Sequence, residues 1–567
     1  MSIDDIIASM KILMIALNSK FIHSNLAVHS LSAYVAPLIA ETETPLEIEI
    51  LELTINQQED ELLREIYEAR PDLLCFSCYI WNIEKVLNLT RECRKVMPEI
   101  DIFLGGPEVS YDGRKVLEEH PEITGVMVYE GEETFQEVVE VYLHRKDFSQ
   151  VQGIVYRDGG EICENPSREV MDLSKVPFVY QDASAYEHKI IYYESSRGCP
   201  FACSYCLSSL DKKLRFRDLS LVKEELAFFL KNRVRQVKFV DRTFNCNKEH
   251  ALSILTFIKE HDNGYTNFHF EVSADLLDEE FLSLLKGFRP GCIQFEVGVQ
   301  STNPRTLREI RRQMDFHKVA YAVKAIGEMG NIHLHLDLIA GLPFEDFASF
   351  RNSFDMVYHL EPEQLQLGFL KVLKGTYMEE RAADYGLIYK STPPYEVLGT
   401  KWLSYEEILL LKQVEEVVEL YYNSGQFLNS VKALARHYES PFSLYLKLGA
   451  FYHQRGHDRV AHKRSAVYEI FLDFTRAYHQ EEVPLFRELL TLDYYAREQA
   501  KSRPDFAPAY ALSKEQVKGY FKDQDRRQLH LEYFPVMKKV LIFDYKRRNP
   551  MDGNAYFTEV SPDLLGI

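Results

Sequence analysis

The chain has 567 residues, 46% hydrophobic and 27% charged, a composition that suits a globular protein of about three or four domains, each able to bury a core. A net charge of −20, from 66 basic and 86 acidic residues, favours solubility and weighs against a broad nucleic-acid interface. Nine cysteines in so long a chain do not make a disulfide scaffold.

The first twenty residues hold an apolar run of only about seven, without the flanks of a signal peptide. No stretch reaches the roughly 18 apolar residues of a membrane span. A cytoplasmic protein with no membrane partner is therefore expected. From residue 10 to about 145, strands read at 11–17, 46–53, 71–78, 101–104 and 125–128. Helical patterns lie at 24–40, 57–69 and 83–96. The strand at 11–17 is almost continuously apolar, which suits a buried parallel strand. Strands alternating with helices at this spacing predict βαβ units and a doubly wound, Rossmann-like sheet. Ligands in such sheets bind beyond the carboxyl ends of the strands. The candidate rim is therefore residues 18–25, 77–81, 105–109 and 129–133. No GxGxxG is present, which weakens a dinucleotide reading. Cys75 and Cys78 belong to an extended strand that sends them to opposite faces, so both are expected in the core.

Residues 146–187 read as a connector. A β-hairpin over 151–163 turns at Arg157-Asp158-Gly159-Gly160, and Pro166 and Pro177 mark an extended linker. No function is assigned to Cys163. A strand at 189–194 follows, and it ends in SSRGCPFACSYC. Cys199, Cys203 and Cys206 thus stand as C-x3-C-x2-C on one loop, with no fourth cysteine near. Thiolates are soft ligands that suit iron–sulfur clusters and zinc. Zinc sites pair C-x2-C with a second Cys/His pair, which is missing, and three ligands leave one metal position open for a substrate or cofactor. Strands and helices then alternate again to residue 375. Further strands read at 236–240, 267–272, 292–297, 332–339 and 364–369, giving six parallel strands in all. In parallel barrels the chemistry sits at the carboxyl ends of the strands.

The cysteine spacing with Tyr205 before the third thiol resembles the radical S-adenosylmethionine (SAM) superfamily. So do Asp241-Arg242-Thr243-Phe244-Asn245, Glu296-Val297-Gly298-Val299-Gln300-Ser301 and Asp337-Leu338-Ile339-Ala340-Gly341-Leu342-Pro343, in that order behind the loop, and Leu370–Thr376 at the close. In the first of these Arg242 replaces the family's second acid. The resemblance implies a partial (βα)6 barrel over 188–375 and a 4Fe-4S cluster on Cys199, Cys203 and Cys206. It also implies SAM contacts from Tyr205, Asp241, Glu296, Gln300, Arg312, Ile339 and Gly341. In that family SAM chelates the open iron, and an electron from the cluster splits it to a 5′-deoxyadenosyl radical, which the barrel orients and shields from water. Cys246 and Cys292 are candidate barrel thiols, and no catalytic residue beyond the cofactor ligands is assigned.

The region 10–145 resembles the cobalamin-binding domain found ahead of many such barrels, in its PD-x-aliphatic-x-F-S, LGGPE and E-G-E-E-T-F segments. That implies cobalamin contacts from Asn18, Ser77, Tyr79, Gly105, Gly106, Glu130 and Gly131. The D-x-H-x-x-G motif of histidine-ligated cobalamin proteins is missing, and His23 lacks its spacing, so cobalt without a histidine ligand is expected.

Residues 376–567 read as mainly helical, with patterns at 404–424, 443–455, 461–480 and 483–494. A short α/β tail follows, and Lys538, Lys546, Arg547 and Arg548 read as a solvated loop. This layout resembles the uncharacterised carboxy-terminal domain of one subgroup of cobalamin-type radical SAM proteins. The expected activity is methylation of an unactivated carbon in a small-molecule or peptide substrate, with flavodoxin or ferredoxin as electron donor. The alternatives are a cyclase, ring-contracting or oxidative enzyme, or a non-catalytic cobalamin or SAM sensor.

Overall fold

A computed structural model of the chain describes residues 10–42, 45–144, 146–210, 213–522 and 527–567. They form two compact units. The first comprises the described residues of Met1–Leu276 with Arg308–Gln313 and Leu370–Thr400, and the second comprises Leu277–Leu307, Met314–Phe369 and Lys401–Ile567.

The first unit opens with β1 (Met10–Asn18), β2 (Leu46–Thr54), β3 (Leu73–Ser77), β4 (Asp101–Gly105) and β5 (Gly125–Met127). Helices Leu26–Glu41, Glu59–Glu68, Ile83–Val96, Gly113–Glu119 and Glu132–His144 connect and follow them. The strand order is β2-β1-β3-β4-β5 with parallel pairing. The apolar run of β1 is buried because helices cover both faces of the sheet. Leu13 and Ile15 pack with Cys78 and Leu104 on one face, and Ile12 and Met14 pack with Cys75 and Phe103 on the other. Cys75 and Cys78 are thus core residues on opposite faces, as alternation requires. Burying each large apolar side chain contributes about 1.5–3 kcal/mol. The connector hairpin, β6 (Ile154–Asp158) and β7 (Glu161–Glu164), pairs antiparallel onto β5. It extends the sheet to seven strands and covers what would be an exposed edge.

The same unit holds β8 (Ile191–Tyr193), the antiparallel pair β9 (Ser196–Arg197) and β10 (Arg215–Phe216), β11 (Gln236–Phe239) and β12 (Asn267–Val272). β8, β11 and β12 run parallel, with helices Leu219–Lys231 and Lys248–Glu260 between them. The second unit holds the parallel strands β13 (Ile293–Gln300), β14 (Ile332–Ala340) and β15 (Gln364–Phe369), with helices Phe316–Met329 and Phe347–Tyr358. These six strands with their helices are the repeats expected from the sequence.

Within Leu370–Thr400, β16 (Ile388–Tyr389) pairs with β17 (Val397–Gly399). The carboxy-terminal region is helical over Tyr405–Val418, Leu428–Ala435, Pro441–Arg455, Arg464–Tyr478, Val483–Arg497 and Lys514–Tyr520. The helix expected over 404–424 changes to a π-helical turn at Glu419–Asn423. There the Asn423 side chain exchanges hydrogen bonds with the backbone of Leu365, at 2.8 and 2.9 Å, and so reads β15 as a strand would. The tail is a three-stranded antiparallel sheet, β18 (Leu529–Phe534), β19 (Lys539–Arg548) and β20 (Ala555–Val560). Arg547 and Arg548 end β19 rather than lying in a loop. No described helix is long and apolar enough to cross a membrane.

Candidate active site

The cysteine loop is the stretch enclosed by β9 and β10. Cys199 and Cys203 are buried, Cys206 is half-buried, and none of the three is in a disulfide. The chain enters through Ser195 and Ser196, both of which are held by Asp241. The Asp241 carboxylate accepts from the Ser195 N–H at 2.8 Å and from both serine hydroxyls at 2.6 Å. Burial pushes this carboxyl up to about 6, although the serine hydrogen bonds pull it down. Gly198 has φ +93°, and a Cβ there would lie 2.8 Å from the Lys213 carbonyl, so only glycine fits where the loop crosses its own return strand.

Three neighbours face the thiols. The Arg312 Nη1 lies 3.8 Å from Cys203 Sγ. The Tyr205 hydroxyl also faces Cys203; burial pushes that thiol up, and Arg312 and Tyr205 pull it down. Thr243 Oγ1 lies 3.7 Å from Cys199 Sγ, and the Ser204 N–H donates to the Ile310 carbonyl at 2.9 Å. The segment around Arg312 therefore belongs to the cysteine loop, although a hundred residues separate them in sequence. Cys246 ends the turn Phe244–Cys246 behind β11, and Cys292 is fully buried.

The loop is tied to the amino-terminal sheet by charge. Arg197 donates to Glu132 at 2.6 Å and to Glu194 at 2.8 Å, and its Nη1 stands 3.8 Å from Glu130. Arg215 forms an ion pair with Glu130. Burial works against the charge on Arg197, but Glu194 and Glu132 outweigh it and hold the guanidinium protonated. The acids of the E-G-E-E segment thus lie against the cysteine loop, and Gly131 packs on Leu31, which a Cβ would approach to 3.0 Å.

The other rim residues divide in the same way. Asn18 Nδ2 donates to the His23 carbonyl at 3.1 Å and to Glu52 at 3.3 Å, and Ser77 Oγ accepts from Asn25 at 3.0 Å. His23 Nδ1 pairs with the Tyr192 hydroxyl at 2.6 Å. Gly106 has φ +115°, and a Cβ there would come within 2.5 Å of the Cys78 carbonyl, so the β4 loop can close on the β3 loop only at glycine; Gly105 has ordinary room. Tyr79 stacks on Trp81 with ring centroids 4.4 Å apart and planes 7° from parallel. The Trp81 Nε1–H is anchored on the Leu17 carbonyl at 3.2 Å while the residue stays 45% exposed. Tyr129, 57% exposed, meets Tyr111 edge-on. Trp81 and Tyr129 fall within the rim segments 77–81 and 129–133 expected from the sequence, and the structure adds that both rings stay exposed there.

A second tie lies at Glu52, whose carboxylate accepts from the Asn25 N–H at 2.6 Å, pairs with Lys189 and stands 3.7 Å from His29. Burial alone would push this carboxyl up; His29, Lys189 and Asn25 hold it down at about 2. A carboxyl depressed on folding contributes stability that is complete above its unfolded pKa and is lost as pH falls through the folded value. Glu52→Gln is expected to cost roughly 2 kcal/mol at neutral pH. That cost should shrink from about pH 4.5 down towards 2, read as urea midpoints of both proteins at pH 7 and pH 3.

In the second unit Glu296 and His335 are in register on β13 and β14, and Gly298 faces Asp337. Glu296, His335 and Asp337 bring ligand atoms within 4.8 Å of one another, with His335 Nε2 3.1 Å from Asp337 Oδ1. Register slips between Gly298 and Gln300, and Gln300 takes φ +69°. Gly341, at the end of β14 beyond Ile339, takes φ +91°. Ser301 and Ser353 both bond the fully buried Glu345, at 2.6 and 3.0 Å, and burial pushes that carboxyl up to about 7. His335 and Glu345 were not singled out from sequence; alternation along β14 would have placed His335 beside Asp337.

Comparison with known proteins gives three family matches: a B12 binding domain over residues 12–139, the Radical SAM superfamily over 193–357, and a protein of unknown function (DUF4080) over 383–549. An uncharacterized methyltransferase of Pyrococcus horikoshii is 24% identical, covering 63% of this chain and 78% of its own. The cobalamin-dependent radical SAM methyltransferase TokK of Streptomyces tokunonensis is 25% identical over 56% of this chain, which spans half the length of that relative. The structure of the radical S-adenosylmethionine methyltransferase TsrM from Kitasatospora setae, with cobalamin and a [4Fe-4S] cluster bound, shares the fold. Its TM-score is 0.57 at 18% identity, and it covers 68% of this chain and 80% of its own. Cysteine loop, strand order and matched segments together make this chain a radical SAM superfamily enzyme with an amino-terminal B12-binding domain and a carboxy-terminal DUF4080 domain.

Proposed function

We propose that the protein is a cobalamin-dependent radical SAM methyltransferase that acts on an unactivated carbon. The observation that carries this reading is the setting of Cys199, Cys203 and Cys206. Three unbridged thiols share a loop that Arg197 and Arg215 hold against the sheet of the B12-binding domain. Three soft donors without a fourth fit a 4Fe-4S cluster with one iron position left for SAM. The Tyr79–Trp81 stack, exposed at Trp81 and with Gly105 and Gly106 beside it, fits a flat corrin, and His23, occupied by Tyr192, favours cobalt without a histidine ligand. Bound in these places, the cluster supplies the electron that cleaves SAM to methionine and a 5′-deoxyadenosyl radical, and cobalamin supplies a carrier for the methyl group.

The chain's own residues orient and enclose. Arg312 and Tyr205 face Cys203 and neutralise thiolate charge on the buried side of the loop. Asp241 acts through Ser195 and Ser196, fixing the direction from which the loop leaves β8. In the second unit Glu296 and Gln300 are assigned to the polar groups of SAM, and Ile339 and Gly341 to its adenine. Asn18, Ser77, Tyr79, Gly105, Gly106, Glu130 and Gly131 are assigned to the cobalamin rim, joined by Trp81. The substrate is a small molecule or peptide, and a flavodoxin or ferredoxin in the cytoplasm supplies the electron.

Anaerobic reconstitution with iron, sulfide, cobalamin, SAM and a reductant tests the reading. Formation of 5′-deoxyadenosine and retention of a corrin are expected. Absence of 5′-deoxyadenosine overturns the radical assignment, and its formation without cobalamin binding overturns the methyltransferase. Trp81→Ala is expected to weaken cobalamin retention about tenfold, equivalent to about 1.4 kcal/mol. The check is corrin absorbance after gel filtration, with the circular dichroism unchanged.

A further inference from the structure

We propose that the carboxy-terminal domain carries a zinc site made by His437, His479 and Glu482. One ligand atom from each lies within 4.8 Å of the other two, a spacing that side-chain rotation can close to the edge of about 3.3 Å that zinc–ligand bonds of about 2.0–2.1 Å imply. Two imidazoles and one carboxylate are a zinc donor set that leaves a position open.

Local structure favours a metal over a simple surface ion pair. His437 lies just beyond helix Leu428–Ala435, with its N–H bonded to Leu434. His479 caps helix Arg464–Tyr478, and Glu482 ends the turn Gln480–Glu482 before helix Val483–Arg497. The three ligands therefore come from two separate helix junctions, which an ion would pin together. An ion pair needs one imidazole; here the two rings stand 5.3 Å apart beside one carboxylate. His437 Nε2 lies 2.9 Å from Glu482 Oε2, an oxygen shielded from solvent that accepts no hydrogen bond among the described residues. The Tyr438 hydroxyl is 2.9 Å from His479 Nε2. In the tautomer whose Nε2–H donates to that hydroxyl, Nδ1 keeps its lone pair, which is how outer groups commonly orient a metal-bound histidine. Phe474 and Phe486 back the two rings.

The test uses full-length protein with its iron–sulfur cluster reconstituted, so that the cysteine loop is filled before zinc is added. Zinc is titrated against a chromophoric chelator, and bound zinc and iron are measured by atomic emission. About one zinc per chain beyond the iron is expected. His437→Ala and the near-isosteric Glu482→Gln should each weaken zinc binding at least ~100-fold, and Tyr438→Phe roughly tenfold, with iron content and circular dichroism unchanged. Zinc retained equally by the variants, zinc uptake matched by loss of iron, or no zinc bound at micromolar free concentration would each overturn the site. The readout is metal content, so it stands apart from the assignment of the enzyme's reaction.

Discussion

Cys203→Ala is expected to leave a protein that folds but holds no stable cluster and forms no 5′-deoxyadenosine. Cys203 is the most enclosed point of the triad, with Tyr205 on one side and the Arg312 guanidinium 3.8 Å away. Removing the thiolate deletes a ligand and leaves a buried cation beside the metal position. Outer groups alone commonly cost 10–100-fold in metal affinity, so loss of a direct ligand should lower 5′-deoxyadenosine formation by more than ~100-fold. Iron and sulfide analysis with a single-turnover assay checks this. Cys246→Ala, at the half-buried turn behind β11, should keep full iron content; its loss there would make Cys246 a cluster ligand.

Arg217→Met should be the most damaging change away from the thiols. Arg217 and Glu225 are both buried, and their side chains meet through bonds of 2.5–3.2 Å. Arg217 Nη1 also donates to the carbonyls of Leu173 and Val176, both at 2.8 Å, and the Tyr193 hydroxyl donates to Glu225 at 2.5 Å. One guanidinium therefore fastens the linker to the start of helix Leu219–Lys231 and, through Glu225, to β8. Taking it away strands a carboxylate and two carbonyls out of water, a loss of about 3–5 kcal/mol. The double variant Arg217→Met/Glu225→Met should recover much of that loss, because an apolar pair of similar volume carries no uncompensated charge. Urea unfolding of the single and double variants measures both.

The repeating elements and the thiol motif were legible because they are local. Periodicity placed helix Ile83–Val96 and strands β12 and β15 at their true ends. The cysteine spacing carried its own chemistry. What stayed hidden depends on partners distant in sequence. Asp241 and the serines it holds are 45 and 46 residues apart, and Arg197 and Glu132 are 65 apart. Nothing in E-G-E-E says that two of its acids face arginines of a loop on the far side of the linker. The hairpin of β6 and β7 was visible as a hairpin, but its docking on β5 was not, because edge pairing leaves no mark on the added strands. Asn423 is the clearest case of side-chain chemistry overriding periodicity, since it ends a regular helix to bond the backbone of a strand 58 residues away.

The carboxylates of Glu130 and Glu132 bear on how freely this architecture can be recombined. The amino-terminal sheet supplies the counter-charges for Arg197 and Arg215, which open and close the thiol loop. A truncation beginning near residue 188, or a chimera that grafts an unrelated amino-terminal module there, would remove Glu130 from Arg215 and both Glu130 and Glu132 from Arg197, which would keep Glu194. Such a protein would keep all three cysteines and still hold them poorly. Exchange between relatives would preserve the loop only if the acids and the arginines travel together, so the unit of inheritance is the matched pair of segments rather than either domain.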